Sequence, residues 1–234
     1  MKVRYLIKYT KESEIKFISH LDLMRTIQRT VKRAGLPIDY SKGFNPHMTI
    51  SIAQPLSVGV YSRGEYLDTV FKEEVCCEEI VKRLNENSPM GIKFLDAKRV
   101  EVEENKKTPQ SMAIIDAALY KIKVKAIDGE KALNEIRELS NESSWMTVRK
   151  SKKGDKDIDI KPLIKKIEYV NDNNNILIDT MLACGSRENV SAKLLIEYIE
   201  EHVSSLDKDA FVDIERIDMY ANKDNTLVPL NEYL

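Results

Sequence analysis

The stretch FISHLDLMRTIQRTVKRAGLPIDYSKGFNPHMTISIAQPLSVGVYSRGEYLD, residues 17–68, decides the fold of the first half of the chain. Apolar residues at helical spacing predict a helix over 19–34. Its apolar face is formed by Leu23, Ile27 and Val31, with Leu21 and Met24 alongside. The run SKGFNPH at 41–47 predicts a turn, and 48–53 a strand. A helix is therefore followed by a turn and a strand.

The elements around this stretch complete a known order. The predicted elements of the first half are strand 3–9, helix 19–34, strand 48–53, strand 66–71, helix 77–87 and strand 92–100. The order β-α-β-β-α-β is that of the ferredoxin-like arrangement. The sequence thus predicts an α+β fold that begins with one ferredoxin-like domain.

The second half repeats the pattern. Its predicted elements are strand 120–127, helix 129–139, extended pieces within 158–170, strand 175–183, helix 191–202 and strand 211–219. A polar stretch that contains Pro109 separates the halves. We therefore predict two tandem ferredoxin-like domains. The predicted divisions are a domain over 1–104, a linker over 105–117, a domain over 118–221 and a tail over 222–234.

The composition is that of a globular protein. Of 234 residues, 42% are hydrophobic and 32% charged, with 8 Gly and 7 Pro, which excludes disordered and fibrous classes. No segment approaches the roughly 20 apolar residues of a membrane span, and residues 1–16 lack the apolar core of a signal peptide. We expect a cytoplasmic protein without a membrane partner.

The cysteines do not predict a cofactor. Cys76 and Cys77 are adjacent, Cys184 is remote, and no CxxC pair occurs. This pattern is typical neither of a disulfide framework nor of a zinc site. It does not predict an iron–sulfur cluster on this chain either. We expect reduced thiols, no metal and no cofactor.

The net charge of -1 conceals an asymmetry. Residues 1–63 contain eleven Lys and Arg against four Asp and Glu, a formal charge of +7, which leaves -8 for the remainder. Within the predicted helix, Arg25, Arg29 and Arg33 recur at four-residue spacing and therefore share a side. Such a stripe is common on a solvated helix face, but here it also predicts a surface for a polyanion.

Ser19 and Asp22 have the spacing of a capping box. In that motif the serine hydroxyl caps a backbone N–H at the start of the helix, and the acid reaches back to the backbone of the serine. Asp22 therefore has a structural interpretation beside any functional one.

The two histidines of the stretch have several interpretations. His20 and His47 could form an acid–base pair oriented by Asp22, Glu65 or Asp68, or they could bind a metal with a carboxylate. Alternatively, His20 caps a helix start, and His47 stacks on a base of a partner or forms a hydrogen bond with a loop carbonyl. The catalytic candidates are thus His20, His47, Asp22 and Glu65, and the residues alone do not select a reaction.

Residues 17–68 resemble the radical-SAM-linked domain of unknown function, a bacterial family that occurs alone or behind a cobalamin-binding radical SAM domain. The resemblance is strongest over residues 1 to 75. The matching residues are Ser19, His20, Asp22, Arg25, Arg33, Gly43, Asn45, Pro46, His47, Pro55, Gly59, Ser62, Glu65 and Asp68. The resemblance implies a cobalamin-binding radical SAM protein as partner, and gene neighbours that concern RNA and ribosomes.

Together these features favour an accessory protein, an adaptor that binds RNA or the substrate of a radical SAM enzyme. Two alternatives stay open: a metal-independent endoribonuclease that uses His20 and His47, and a docking subunit that does not bind RNA. The binding candidates are Ser19, His20, Arg25, Arg29, Arg33, Asn45, His47, Glu65 and Asp68.

Overall fold

The computed structural model describes residues 2–101, 108–150 and 154–233. The chain divides into two compact units. Unit 1 comprises Met1–Ile115 and Asp218–Leu234, and unit 2 comprises Asp116–Ile217. Both units are mixed α+β and their sheets are mostly antiparallel. None of the helices in the described ranges combines the length and apolar character that crossing a membrane requires.

The elements, in chain order, are β1 (Val3–Lys11), α1 (His20–Arg33), β2 (Ile50–Ile52), β3 (Val60–Phe71), α2 (Cys77–Glu86), β4 (Phe94–Arg99), α3 (Ser111–Ile114), β5 (Ile115–Lys125), α4 (Gly129–Ser140), β6 (Met146–Arg149), β7 (Lys156–Asp159), β8 (Ile164–Asp172), β9 (Asn175–Ala183), α5 (Ala192–His202), β10 (Asp213–Lys223), β11 (Thr226–Pro229) and α6 (Leu230–Tyr233).

In unit 1, β1 lies between β4 and β3, and the short strand β2 pairs with residues 67–69 of β3. All three pairings are antiparallel. Asp68 of β3 lies opposite both Leu6 and Ser51. Just before β2, the carbonyl of Thr49 accepts a hydrogen bond from the backbone N–H of Val70, so this segment lies beside β3.

The two faces of β1 have different roles because successive side chains of a strand point to opposite faces. Tyr5, Ile7 and Tyr9 belong to the buried core, together with Ile27 of α1 and Leu84 of α2. The alternate positions Arg4 and Lys8 carry charges that are paired within unit 1, with Asp68 and Asp218 respectively. At β1, one face of the sheet therefore packs on the apolar core, and the opposite face carries the charged residues.

The elements predicted for the first half all occur, with different bounds. β3 begins at Val60, six residues before the predicted start at Tyr66. Leu21 is 64% exposed and does not join the apolar face of α1. It lies four residues before Arg25, and residues at that spacing share a side of a helix. Leu21 therefore adds an apolar group to the basic side.

In unit 2, β9 pairs with β5 on one edge and β8 on the other. The predicted extended pieces correspond to β7 and β8, which a 3-10 turn at Lys161–Leu163 separates. β6 precedes them and pairs with β7 as an antiparallel hairpin. Just before β6, Trp145 is buried, stacks on Tyr198 with 5.2 Å between ring centroids, and donates its indole N–H to the carbonyl of Leu139.

The segments predicted as linker and tail are partly structured. Residues 105–107 of the linker and residue 234 lie outside the described residues, but 111–114 form α3 and β5 already begins at Ile115. In the predicted tail, β11 pairs with β10, and the side chain of Asn231 bonds the hydroxyl of Tyr66 at 3.1 Å. Unit 1 therefore includes the C-terminal residues.

Candidate functional site

The N-terminus of α1 is capped by a hydroxyl that also bonds a carboxylate. Ser19 Oγ accepts from the backbone N–H of Asp22 at 3.3 Å and donates to Asp22 Oδ2 at 2.7 Å. Arg25 approaches Asp22 Oδ1 at 3.2 Å. The hydrogen bond from Ser19 lowers the pKa of Asp22, and Arg25 lowers it further. The serine cap is therefore present. The Asp22 carboxylate, however, accepts a hydrogen bond from the Ser19 hydroxyl and not from the Ser19 backbone N–H.

The outer side of α1 carries the basic stripe in a reduced form. Arg25, Arg29 and Lys32 are exposed. Arg33 instead donates to Thr30 Oγ1 at 3.3 Å and to the carbonyl of Asn87 at 2.6 Å, which joins the end of α1 to the end of α2. Arg33 is exposed as well, but these hydrogen bonds give it a structural role, and Arg25, Arg29 and Lys32 are the exposed cations of α1 without a hydrogen bond to another described element.

The turn at 41–47 holds His47 against Ser41 and exposes an aromatic ring. Ser41 Oγ lies 2.8 Å from His47 Nδ1 and accepts the His47 backbone N–H at 3.1 Å, while the backbone N–H of Ser41 donates to the carbonyl of His47. Gly43 has a φ of 128°, which favours glycine. Phe44 is fully exposed (111%), and Asn45 is exposed beside it.

The two histidines lie at opposite ends of the unit 1 sheet. His47 lines a cavity with Arg4, near the start of β1. His20 begins α1, and shortly before it the carbonyl of Lys16 accepts a hydrogen bond from Nζ of Lys11, the last residue of β1. Arg4 and Lys11 are separated by about 23 Å at the rise of a β-strand. This placement gives no support to the alternative in which His20 and His47 form an acid–base pair.

The described residues give no support to the metal alternative either. Throughout 2–101, 108–150 and 154–233, no three His, Cys, Asp or Glu side chains come together as potential metal ligands. His20 is partly exposed at the first position of α1. Neither histidine has a described carboxylate among its hydrogen-bond partners.

The two carboxylates predicted in β3 are buried. Glu65 is 1% exposed and lies opposite Tyr9. Asp68 is 4% exposed: Oδ1 accepts from Arg4 Nε at 2.9 Å, and Oδ2 accepts from both the backbone N–H and the hydroxyl of Ser111. Both oxygens of Asp68 thus bind within the protein, which makes its position structural.

A cavity of about 230 Å³ opens beside this ion pair. It lies where β2 meets β3, and the segment that leads into β2 forms one wall. The lining residues are Arg4, Ser41, His47, Met48, Thr49, Ile50, Ser51, Asp68, Thr69, Val70 and Gln110. Of the predicted binding residues, the cavity brings together His47 and Asp68, whereas Ser19, His20, Arg25 and Arg29 lie along α1.

Two residues that line the cavity, Ser51 and Thr69, have buried hydroxyls without a partner among the described residues. Neither Ser51 Oγ nor Thr69 Oγ1 forms a hydrogen bond with any described residue, and Thr69 is 1% exposed. A buried polar group left without a hydrogen bond costs about 1 to 3 kcal/mol. Ser51 lies opposite Asp68, whereas Thr69 lies opposite Tyr5 of the buried core, so the two hydroxyls are on opposite faces of the sheet.

The sequence profile of a bacterial family matches residues 4–192, most of the chain. The chain belongs to this family. Its description is "Uncharacterized protein conserved in bacteria (DUF2344)". The resemblance noted in the sequence, to a bacterial family of unknown function, is confirmed to that extent. The association with radical SAM proteins stays a prediction.

A chain of a solved complex resembles this DUF2344 member in fold. A chain of the structure described as "Crystal Structure of a Cbf5-Nop10-Gar1 Complex" matches with a TM-score of 0.50 and 11% identity, over 92% of this chain and 48% of that chain. The present chain thus spans about half the length of its match. An unknown protein from Galdieria sulphuraria gives a TM-score of 0.27 at 10% identity, over 92% and 99% of the two chains. No curated protein matches.

The cavity of the DUF2344 member contains residues that sequence reasoning missed. Arg4, Ser51 and Thr69 were regarded only as parts of strands. Arg4 gave one signal, because an arginine in the strongly apolar run Val3–Lys11 must have a partner if it is buried. Ser51 and Thr69 gave none, since a hydroxyl in a strand is equally compatible with a satisfied or an unsatisfied position.

Proposed function

We propose that this protein is an accessory protein that binds single-stranded RNA through unit 1, along α1 and the 41–47 turn. The observation that carries the proposal is the exposed cationic side of α1 within residues 1–63, which have a formal charge of +7. Because bacterial RNA metabolism is cytoplasmic, the proposal includes the cytoplasmic location that the sequence predicts.

The exposed cations of α1 are better placed to bind phosphates than to form ion pairs within the protein. Arg29 and Lys32 are exposed, and the only acid within α1 is Asp22, which contacts Arg25. Exposed lysines and arginines that neutralise phosphates release condensed counterions, and this release supplies most of the sequence-independent affinity for nucleic acid. A side of α1 with three cations therefore favours a polyanionic partner.

Exposed aromatic rings near both ends of α1 support RNA over a simple polyanion. Phe17 is 64% exposed and lies three residues before the start of α1, and Phe44 is fully exposed in the turn after it. Lys16 Nζ lies 5.8 Å from the ring centroid of Phe17. Unpaired bases stack on such rings, and the stacking tolerates any base.

The other proposals rest on less. A cobalamin-binding radical SAM partner is supported by the resemblance of residues 17–68 alone. The endoribonuclease alternative loses its main argument, because His20 and His47 lie at opposite ends of β1. The tandem ferredoxin-like architecture is proposed from the β-α-β-β-α-β order of both units, with β6 and β7 inserted in unit 2, and from the strand order β4, β1, β3, β2 in unit 1.

The test is the salt dependence of RNA binding. Fluorescence anisotropy of a labelled single-stranded RNA is measured between about 50 and 200 mM salt, the range over which counterion release changes affinity strongly. We expect an Arg25→Ala/Arg29→Ala/Lys32→Ala variant to bind more weakly and to lower the logarithmic salt slope by about 2, since each contact to a single strand contributes about 0.7.

The matched control removes cations from another helix. Lys131→Ala/Arg137→Ala on α4 of unit 2 is expected to leave affinity and slope unchanged. If wild-type protein has no RNA affinity at low salt, the proposal is wrong. If a radical SAM protein co-purifies from the native host after nuclease treatment and RNA does not, unit 1 is a protein docking surface instead.

A further inference from the structure

We propose that the outer edge of β8, the edge away from β9, pairs with β8 of a second copy of this chain. Such pairing would join the sheets of two copies of unit 2. The inference does not depend on the proposed RNA binding, which concerns unit 1. The carrying observation is the distribution of charge along β8, which is basic at its start and acidic towards its end.

β8 is an edge strand. Among the described residues it pairs with β9 alone, and β9 separates it from β5. A bulge beside Lys165 interrupts the pairing near its start, and regular pairing extends over 166–172. This part of the strand is about 23 Å long at the rise of a β-strand. Its outer edge presents a row of backbone N–H and C=O groups, which is a template for another strand.

The other edge strand, β4 of unit 1, is protected where β8 is not. The side chain of Asn85 forms hydrogen bonds with both the backbone N–H and the carbonyl of Phe94, the first residue of β4. In β8, no side chain of the described residues forms a hydrogen bond with the backbone of 167–171. The strand also contains no proline. The backbone of β8 is therefore available for pairing.

The charges of β8 make it complementary to itself in one direction. Lys165 and Lys166 lie at the start, Glu168 and Asp172 follow, and all four residues are exposed. An antiparallel second copy would place the basic start of each strand opposite the acidic part of the other. A parallel copy would place like charges together, and like charges directly opposite each other destabilise a pair of strands. A symmetric, antiparallel pairing is therefore favoured.

Two registers of the pairing satisfy this arrangement. A two-fold axis at Ile167 places Lys166 opposite Glu168 of the second copy, and an axis at Tyr169 places Lys166 opposite Asp172. Both registers keep opposite residues on the same face of the sheet, because positions two or six residues apart lie on one side of a strand. The charge argument therefore does not depend on the choice between them.

Pairing would also cover apolar surface at the edge. Val170 is 59% exposed. Ile167 lies opposite the buried Thr180 but is itself only partly buried. The two strands bury a small area compared with an obligate interface, so we expect a weak dimer with a dissociation constant in the micromolar range.

The experiment reverses the charges of one half of β8 at a time. The acidic variant is Lys165→Glu/Lys166→Glu, and the basic variant is Glu168→Lys/Asp172→Lys. Sedimentation velocity of the full chain is measured over a concentration series that spans the micromolar range, for wild type, for each variant and for their equimolar mixture. Circular dichroism and the fluorescence of Trp145 verify that each protein is folded.

We expect wild type to dimerise with increasing concentration. Each variant alone should raise the dissociation constant about tenfold or more, because every reversed charge acts twice in a symmetric dimer. The equimolar mixture should dimerise again, because an acidic strand then meets a basic one. Hydrogen–deuterium exchange should slow at 166–172 as the concentration of wild type rises.

The matched control is Lys121→Glu/Lys123→Glu, which reverses two exposed charges on β5, a strand that β9 separates from the edge. It should dimerise as wild type does. The inference is wrong if wild type stays monomeric, if both β8 variants dimerise as wild type does, or if their mixture stays monomeric. It is also wrong if the protection from exchange lies outside β8, because the copies then meet at another surface.

Discussion

Arg4 and Asp68 form a largely buried ion pair across β1 and β3, with 2.8 Å between the Arg4 guanidinium and Asp68 Oδ1. The side chains are 14% and 4% exposed. The pair lines the cavity and, through Ser111, ties the segment before β5 to the sheet of unit 1. It is therefore both a structural element and the reason that the cavity is electrically balanced.

Asp68→Leu should strongly destabilise unit 1. The substitution leaves the charge of Arg4 without its partner, and breaking a buried ion pair by removing one member costs about 3 kcal/mol or more. The double variant Arg4→Met/Asp68→Leu should recover a large part of the loss, because no unpaired charge remains. Urea unfolding followed by far-UV circular dichroism measures both. Equal destabilisation by the single and double variants would contradict the expectation.

Thr180→Val should destabilise the protein, whereas Thr69→Val should not. Both threonines are 1% exposed, but Thr180 Oγ1 donates to the carbonyl of Lys166 at 2.9 Å, whereas Thr69 Oγ1 has no described partner. Thr180→Val should cost about 1 kcal/mol, and Thr69→Val should be neutral or stabilising. Trp145 fluorescence reports on unit 2. A clear loss of stability in Thr69→Val would indicate an ordered water at its hydroxyl.

Ser19→Ala should remove a helix cap and raise the pKa of Asp22. The loss of the cap costs about 1 kcal/mol. The pKa rises towards its ordinary value because the hydroxyl that stabilises the carboxylate is gone. A carboxyl with a lowered pKa in the folded state contributes stability above its unfolded pKa and loses it as pH falls through the folded pKa. This acid-sensitive contribution should shrink in Ser19→Ala, measured by NMR titration of the Asp22 carboxyl carbon.

The control for this prediction is Ser191→Ala. Ser191 caps α5 by accepting from the backbone N–H of Leu194 at 3.1 Å, without a carboxylate at that position. Both substitutions should therefore destabilise their helices, but only Ser19→Ala should change the titration of Asp22. An unchanged Asp22 titration in Ser19→Ala would show that Arg25 alone holds its pKa low.

Phe44→Ala should weaken RNA binding without changing stability. The ring is fully exposed and buries no core surface, so its removal should leave the free energy of unfolding within about 0.5 kcal/mol of wild type. If a base stacks on Phe44, the affinity should fall by about 1 to 3 kcal/mol. Phe211→Ala in unit 2, where the ring is 57% exposed, is the matched control. Equal affinities of wild type and Phe44→Ala would exclude stacking there.

The sequence by itself determined the local elements of unit 1. The spacing of Leu23, Ile27 and Val31 predicted the core side of α1, and all three are buried. Ser19 predicted the start of the helix, which its hydroxyl caps. These features depend on interactions within a few residues, where propensity, capping and periodicity act.

Several elements had signals that were too weak to use in advance. Asp224 and Asn225 have φ of 52° and 64°, as a two-residue hairpin turn requires, and they join β10 to β11 where a tail was predicted. Asp and Asn tolerate this conformation, but they are equally common in loops. The turn became informative only because β11 has a partner strand.

Only the tertiary structure decided where the site lies. The sequence placed His20 and His47 in one stretch, but α1 carries the chain from one end of β1 back to the other, so the two histidines separate. Conversely, Arg4, Ser51, Thr69 and Gln110 are scattered along the chain and line one cavity. Periodicity indicates which face a residue occupies, whereas strand pairing and register decide which residues meet, and these depend on contacts distant in sequence.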